Sequence, residues 1–322
     1  MSNHLKKFAK ITSYLLLFVI IAGLIFYFGK DIFVQFKKVN SYLLFISIIL
    51  QIPMIACGGL AFKVLCQTLG IHIKFHDWVG LSFIANLLNQ LLPYRPGVGF
   101  RYIYMRQHYK MKTSDFFHVM FIYFLLTLLL SSAFTLLGLF DAKIPNIYNL
   151  CALAVFLIFA IFLMFFLIKR YFPSLQSNAS KPSVFSKLTV ALHTLLNSPG
   201  ALIGATLSLF TLNALTAIIF YVIFMSLGNP LPFTDCLFMI GVVLLTMIVP
   251  ITPGNIGVLE TITGTLTQML YQDFSLGFSA TALFRISQWI PSVLLGTGFS
   301  IALCGSMLPK FSYKLGAKHS VD

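Results

Sequence analysis

The features that most restrict how this chain can fold are two apolar runs too short to cross a bilayer. Residues 79–92 and 236–249 each stop at a double-proline break, Pro93-Tyr94-Arg95-Pro96-Gly97 and Pro250-Ile251-Thr252-Pro253-Gly254. About 14 helical residues cover about 21 Å, short of the roughly 30 Å hydrocarbon core. They are half-helices only if the chain sits in lipid, and the composition requires that. Apolar side chains make up 58% of the chain and charged ones 9%, against roughly 25% charged in soluble domains. A soluble fold could neither bury the first group nor coat itself with the second. The chain is read as an all-α polytopic membrane protein.

Residues 11–28 follow Lys6, Lys7 and Lys10 as a signal peptide's apolar core would, but no small-x-small cleavage site comes after them. They read as an uncleaved first helix. Further runs of spanning length occupy about 42–66, 117–140, 147–168, 200–227 and 277–306, giving six full spans. Basic residues set the orientation. With both short runs re-entrant and the N-terminus cytoplasmic, sixteen of the 22 Lys and Arg residues, from Lys6 to Lys318, fall inside. Only Lys30, Lys37, Lys38 and Lys143 fall outside, while Lys63 and Arg285 lie within spans. If 79–92 crossed fully, the basic residues of 95–112 and 169–187 would move outside and the bias would reverse. Two re-entrant hairpins are therefore expected, at about 79–112 and 236–272, with both termini on the cytoplasmic side of the cytoplasmic membrane. The formal charge of +14 then reports topology and contact with anionic headgroups rather than nucleic acid.

The halves share a pattern. Leu69-Gly70-x4-Phe75-x-Asp77 recurs as Leu227-Gly228-x4-Phe233-x-Asp235, and Pro93-x-x-Pro96-Gly97 recurs as Pro250-x-x-Pro253-Gly254. A single membrane domain would comprise a first half, 1–146, a second half, 147–308, and a short cytoplasmic tail, 309–322. The first half starts inside and the second outside, an inverted-topology repeat. In secondary transporters of that plan the site lies near the midplane, where broken helices meet. Asp77 and Asp235 are placed to N-cap their short helices.

Each break predicts a polar cavity, because non-helical backbone at membrane depth needs protein or water around it. Near the first lie Asn86, Asn89, Gln90, Arg95 and Arg101; near the second lie Thr252, Asn255 and Glu260; the last span carries Arg285, Ser287 and Gln288. Glu260 is the only glutamate of the chain. At depth a lone carboxylate costs roughly 2.5–3.5 kcal/mol, and Arg285 is its natural partner. Three roles are open: a structural ion pair, a group that couples proton or ion movement to a substrate, or a carboxylate that simply sits in the interface. Arg95 and Arg101 could hold a lipid phosphate by bidentate charge-assisted bonds, or merely anchor the cytoplasmic mouth.

Other patterns lead to no catalytic, metal or cofactor site. His72-x4-Asp77 has the spacing of an acyltransferase base and orienter, yet the repeat aligns His72 with Pro230, so the aspartate is explained without the histidine. His72 and His76 lack a further metal ligand. Cys57, Cys66, Cys151, Cys236 and Cys304 are scattered in apolar segments and read as small hydrophobes. The polar loop 169–199 connects the halves, and its sequon Asn178-Ala179-Ser180 falls on the inside.

Three motifs resemble the transmembrane region of the lysylphosphatidylglycerol synthetase family of flippase-like membrane proteins. They are Leu92-Pro93-Tyr94-Arg95-Pro96-Gly97-x3-Arg101, Pro250-Ile251-Thr252-Pro253-Gly254-Asn255-Ile256-Gly257-Val258-Leu259-Glu260, and Arg285-x3-Trp289-x-Pro291-x4-Gly296. The likeness runs from the first span to about residue 306. In full-length members a soluble domain attaches the amino acid to phosphatidylglycerol and the membrane region moves the product across the bilayer. This chain ends some fifteen residues after its last span, so the expectation is a standalone membrane region without the aminoacyltransferase. Val98 stands where the family commonly has an acidic residue, and Asn255 where a second glycine is common.

The leading expectation is translocation of a phospholipid or lipid-linked headgroup across the membrane. Its candidate residues are Arg95, Gly97, Arg101, Pro250, Pro253, Gly254, Asn255, Gly257, Glu260, Arg285 and Gln288. The expected partners are phospholipids with anionic or phosphate-bearing heads, with a second copy of the chain or a separate membrane-associated enzyme left open. The alternatives are a membrane subunit or intramembrane enzyme of lipid or glycolipid modification, or a scaffold for other envelope proteins.

Overall fold

The computed structural model describes residues 32–92, 95–139, 198–246 and 255–304. Among these the chain is all helical: α1 (Ser41–Gln67), α2 (Phe75–Leu91), α3 (Pro96–His108), α4 (Thr113–Leu139), α5 (Pro199–Ser226), α6 (Phe233–Thr246), α7 (Val258–Tyr271) and α8 (Phe274–Cys304). Four of them, α1, α4, α5 and α8, are long and apolar enough to cross a membrane. They fall within a few residues of the spans expected from the sequence. The expected spans at 11–28 and 147–168 lie outside the described residues, as does the connector between the halves.

The long helices are apolar on every side, as lipid-embedded helices must be. α5 carries no charged residue at all, and α1, α4 and α8 carry one each: Lys63, Asp115 and Arg285. α1 and α5 share the most extensive interface. The short helices pack across the halves: α2 lies chiefly against α8, and α6 against α4.

Small residues allow these close approaches, as is usual between helices in lipid. A Cβ on Gly138 of α4 would come within 2.7 Å of the Phe238 Cα in α6, and one on Gly241 of α6 within 2.8 Å of the Ser131 carbonyl in α4. Gly296 of α8 sits likewise against the Phe83 carbonyl of α2, at 3.2 Å.

The shared Leu-Gly motif has a local cause. α1 and α5 both end in a tight cap in which Gly70 (φ +74°) and Gly228 (φ +76°) adopt the left-handed conformation that favours glycine. The next amides reach back to the same helical position: Ile71 N donates to the Cys66 carbonyl and Asn229 N to the Phe224 carbonyl, each at 3.2 Å.

The four short helices have 17 residues in α2, 13 in α3 and 14 each in α6 and α7, against 27 to 31 in the long ones. One expectation is corrected. Asp77 does not cap α2: the helix begins at Phe75, after Lys74, and Asp77 lies inside its first turn. Asp235 lies likewise in the first turn of α6. Their charges still suit the positive end of the helix, but each carboxylate is taken by a tyrosine from the far end of the partner helix. Tyr109, just past α3, donates to Asp77, and Tyr271, the last residue of α7, donates to Asp235.

Candidate functional site

A cavity of about 280 Å³ opens among these helices, and every one of α1–α8 contributes to its wall. Its apolar side comprises residues such as Met54, Ile55, Leu212, Phe220 and Ile240. Its polar side gathers residues from both breaks: Asn86, Asn89, Gln90, Arg95 and Arg101 from the first, with Asn255, Arg285 and Gln288 from the second half. Residues separated by more than 150 positions thus converge on one space.

At the first break Arg95 adopts a left-handed backbone (φ +52°) and α3 starts at Pro96, a residue well suited to a first helical position. The Gly97 amide donates to the Asn89 side chain at 2.9 Å, which ties the start of α3 to α2. Gly97 is needed there because a Cβ would come within 2.7 Å of the Ala85 Cα. Arg101 lies one turn further on, its guanidinium 5.3 Å from the centre of the Phe62 ring, and its buried Nε makes no hydrogen bond to the protein. Among the described residues neither Arg95 nor Arg101 forms an ion pair. Tyr123 of α4, in electrostatic reach of both arginines, completes this wall.

The described residues that follow the second break are arranged differently. Asn255 is buried and left-handed (φ +53°), and Gly257 precedes α7 with φ +82°. Glu260, at the third position of α7, accepts from the Gly257 amide at 2.8 Å. It also pairs with the Arg285 Nε. A second guanidinium nitrogen, Nη2, reaches the Asn255 carbonyl at 2.7 Å and the other Glu260 oxygen at 3.4 Å. Glu260 and Arg285 are only 5% and 9% exposed, so each charge depends on the other for compensation. The arginine faces the cavity and the glutamate sits behind it, outside the lining. This arrangement makes the pair a clamp that holds the start of α7 against α8.

The remaining candidates divide plainly. Pro250, Thr252, Pro253 and Gly254 lie outside the described residues. Ser287 bonds to Gln51 of α1 at 3.0 Å rather than lining the cavity. Asn86 donates to Ser292 of α8 at 2.9 Å. Asp77 is engaged by Tyr109, with His76 Nδ1 at 3.8 Å and no bond from His72, so no acyltransferase pair forms. Among the described residues no group of three His, Cys, Asp or Glu could hold a metal. Sequence reasoning missed Tyr123, Gln51, Tyr109 and Tyr271, which have no recognisable motif around them.

The family model for the lysylphosphatidylglycerol synthase transmembrane region matches residues 14–296, which includes every helix described above except the end of α8. The chain belongs to that family. Searches of curated proteins and of solved structures returned no match. As a lysylphosphatidylglycerol synthase transmembrane-region protein, it is an integral membrane protein linked to lipid modification or lipid flipping. Membrane phospholipids are the substrates this family membership suggests.

Proposed function

We propose that this protein translocates a phospholipid or lipid-linked headgroup across the cytoplasmic membrane through the cavity between α2–α3 and α6–α7. The observation that carries the proposal is the pair of arginines, Arg95 and Arg101, facing a largely apolar cavity without an acidic partner among the described residues. A cation held away from water is costly, and an incoming phosphate would offset that cost through charge-assisted hydrogen bonds. The apolar wall suits acyl chains, and the polar wall suits a head.

The same reading makes α2–α3 and α6–α7 re-entrant hairpins of an inverted repeat. Supporting it, the order long, short, short, long occurs twice, and both long helices preceding the short pairs end in the same glycine cap. Each Asp–Tyr bond joins the start of one short helix to the end of the next, which fits a chain that enters and leaves on one side. Both termini would be cytoplasmic, with Arg95 and Arg101 receiving the phosphate at the cytoplasmic mouth. The Glu260–Arg285 clamp then serves structure rather than proton coupling, because both glutamate oxygens are already engaged.

Reconstitution in vesicles carrying a head-labelled phosphatidylglycerol, with a membrane-impermeant quencher, tests the proposal. Loss of protected fluorescence faster than in protein-free vesicles is expected. Unaltered protection, or conversion of the lipid to a new product, would overturn it in favour of a scaffold or an enzyme respectively.

A further inference from the structure

The charge balance of the cavity indicates which class of head it takes, an inference that rests on the lipid-carrying reading above. None of the five acids among the described residues lines it. Asp77 and Asp235 are engaged by tyrosines at the hairpin ends. Asp273 is bonded to the Leu276 amide and Gln35, and Asp115 lies beside Ser114 at the start of α4. Glu260 is held by Arg285 and the Gly257 amide. That pairing offsets the Arg285 charge, so the lining presents the positive charges of Arg95 and Arg101, which no acid among the described residues compensates.

The rest of the polar wall is neutral amide. Gln90 is 8% exposed, and neither of its side-chain polar atoms makes a hydrogen bond to the protein. The Asn255 Oδ1 is in the same state, with the residue 5% exposed. Buried amide groups without partners are costly, and a ligand hydroxyl can satisfy them because it both donates and accepts. An ammonium group would find no carboxylate among the described lining residues and would be repelled by the two guanidinium groups. We infer that the cavity selects anionic phosphodiester lipids with hydroxylated, amine-free heads, and discriminates against amine-bearing heads. Arg101 receives the phosphate, while Gln90 and Asn255 receive the hydroxyls.

The test uses the purified full chain and native mass spectrometry with an equimolar mixture of matched acyl composition. The mixture contains phosphatidylglycerol, its aminoacylated derivative, phosphatidylethanolamine and diacylglycerol, with soluble glycerophosphate as competitor. Phosphatidylglycerol is expected to exceed each amine-bearing lipid by about tenfold, a factor that one net hydrogen bond from a head hydroxyl to a buried amide can supply. Arg101→Gln is expected to weaken binding of every phospholipid in the mixture by about tenfold or more, and glycerophosphate is not expected to displace the lipid. Gln90→Glu should move the ratio about tenfold toward the amine-bearing lipids, a gain that a misfolded variant could not produce.

Equal or stronger binding of the amine-bearing lipids, abolished by Arg101→Gln, would overturn the selectivity while leaving a lipid-head cavity in place. Binding of diacylglycerol as strong as that of phosphatidylglycerol, and indifferent to Arg101→Gln, would overturn the lipid-head reading and this inference with it. Displacement by glycerophosphate would make the ligand a soluble phosphate ester and overturn both.

Discussion

Replacing Glu260 separates a structural clamp from a proton-coupling group. The carboxylate holds three contacts at once: the Arg285 Nε, the Arg285 Nη2 at 3.4 Å and the Gly257 amide at 2.8 Å. With both side chains in the interior, removing one partner strands the other charge, at about 3–5 kcal/mol for buried pairs. Glu260→Gln keeps an acceptor for the Gly257 amide, so its cost should fall near the lower end, about 3 kcal/mol. Glu260→Ala also loses the cap and should cost about 1 kcal/mol more. Glu260→Gln combined with Arg285→Gln removes both charges and should cost about 2 kcal/mol less than the sum of the single changes. Unfolding free energies in mixed detergent micelles would measure all four. If Glu260→Gln left stability within about 0.5 kcal/mol of the parent while abolishing translocation, the clamp argument would be wrong and the glutamate would be a coupling group.

Further outcomes follow from other contacts. Gly97→Ala should destabilise by about 1–3 kcal/mol, because its Cβ would press on the Ala85 backbone; Gly99→Ala, with nothing within 4 Å, should be nearly neutral in the same micelle unfolding assay. Tyr109→Phe and Tyr271→Phe should each cost about 1 kcal/mol or more, by removing a hydroxyl bonded to a carboxylate. Burial, with the bond to Asp77 second, pushes the Tyr109 hydroxyl up to about 12 from its usual 10. Because the folded protein favours the protonated form, this contribution should be complete below about pH 10 and be lost as pH rises through about 12. A tyrosinate absorbance titration of the parent against Tyr109→Phe would show it. Asn213→Leu should raise unfolding free energy by about 1 kcal/mol, since Asn213 is 1% exposed and neither side-chain polar atom bonds to the protein.

Much of the fold was legible because lipid imposes long, uncharged helices, and the sequence shows these as runs bounded by polar residues. α1, α4, α5 and α8 therefore begin and end within about four residues of their expected positions. The helix shortness before Pro93 was legible for the same reason, as was the Glu260–Arg285 pair, since two opposite charges in apolar surroundings have few other solutions. The error over Asp77 and Asp235 has a different origin. An aspartate near a helix start satisfies the capping pattern whether it lies at the cap or two residues inside. Only the approach of Tyr109 and Tyr271, 32 and 36 residues downstream, decides which. Tyr123 and the Gln51–Ser287 bond were likewise invisible: they depend on α1, α4 and α8 meeting side by side, which spacing along one helix cannot reveal.

Arg101 is the group proposed to meet the phosphate of a lipid head in transit. The rate at which head-labelled phosphatidylglycerol changes leaflets in vesicles, compared between the parent and Arg101→Gln at equal folded protein, tests it most directly. Losing one charge-assisted bond to the phosphate should slow translocation by about 10- to 100-fold, with Arg101→Lys retaining an intermediate rate. An Arg101→Gln rate equal to that of the parent would contradict the account.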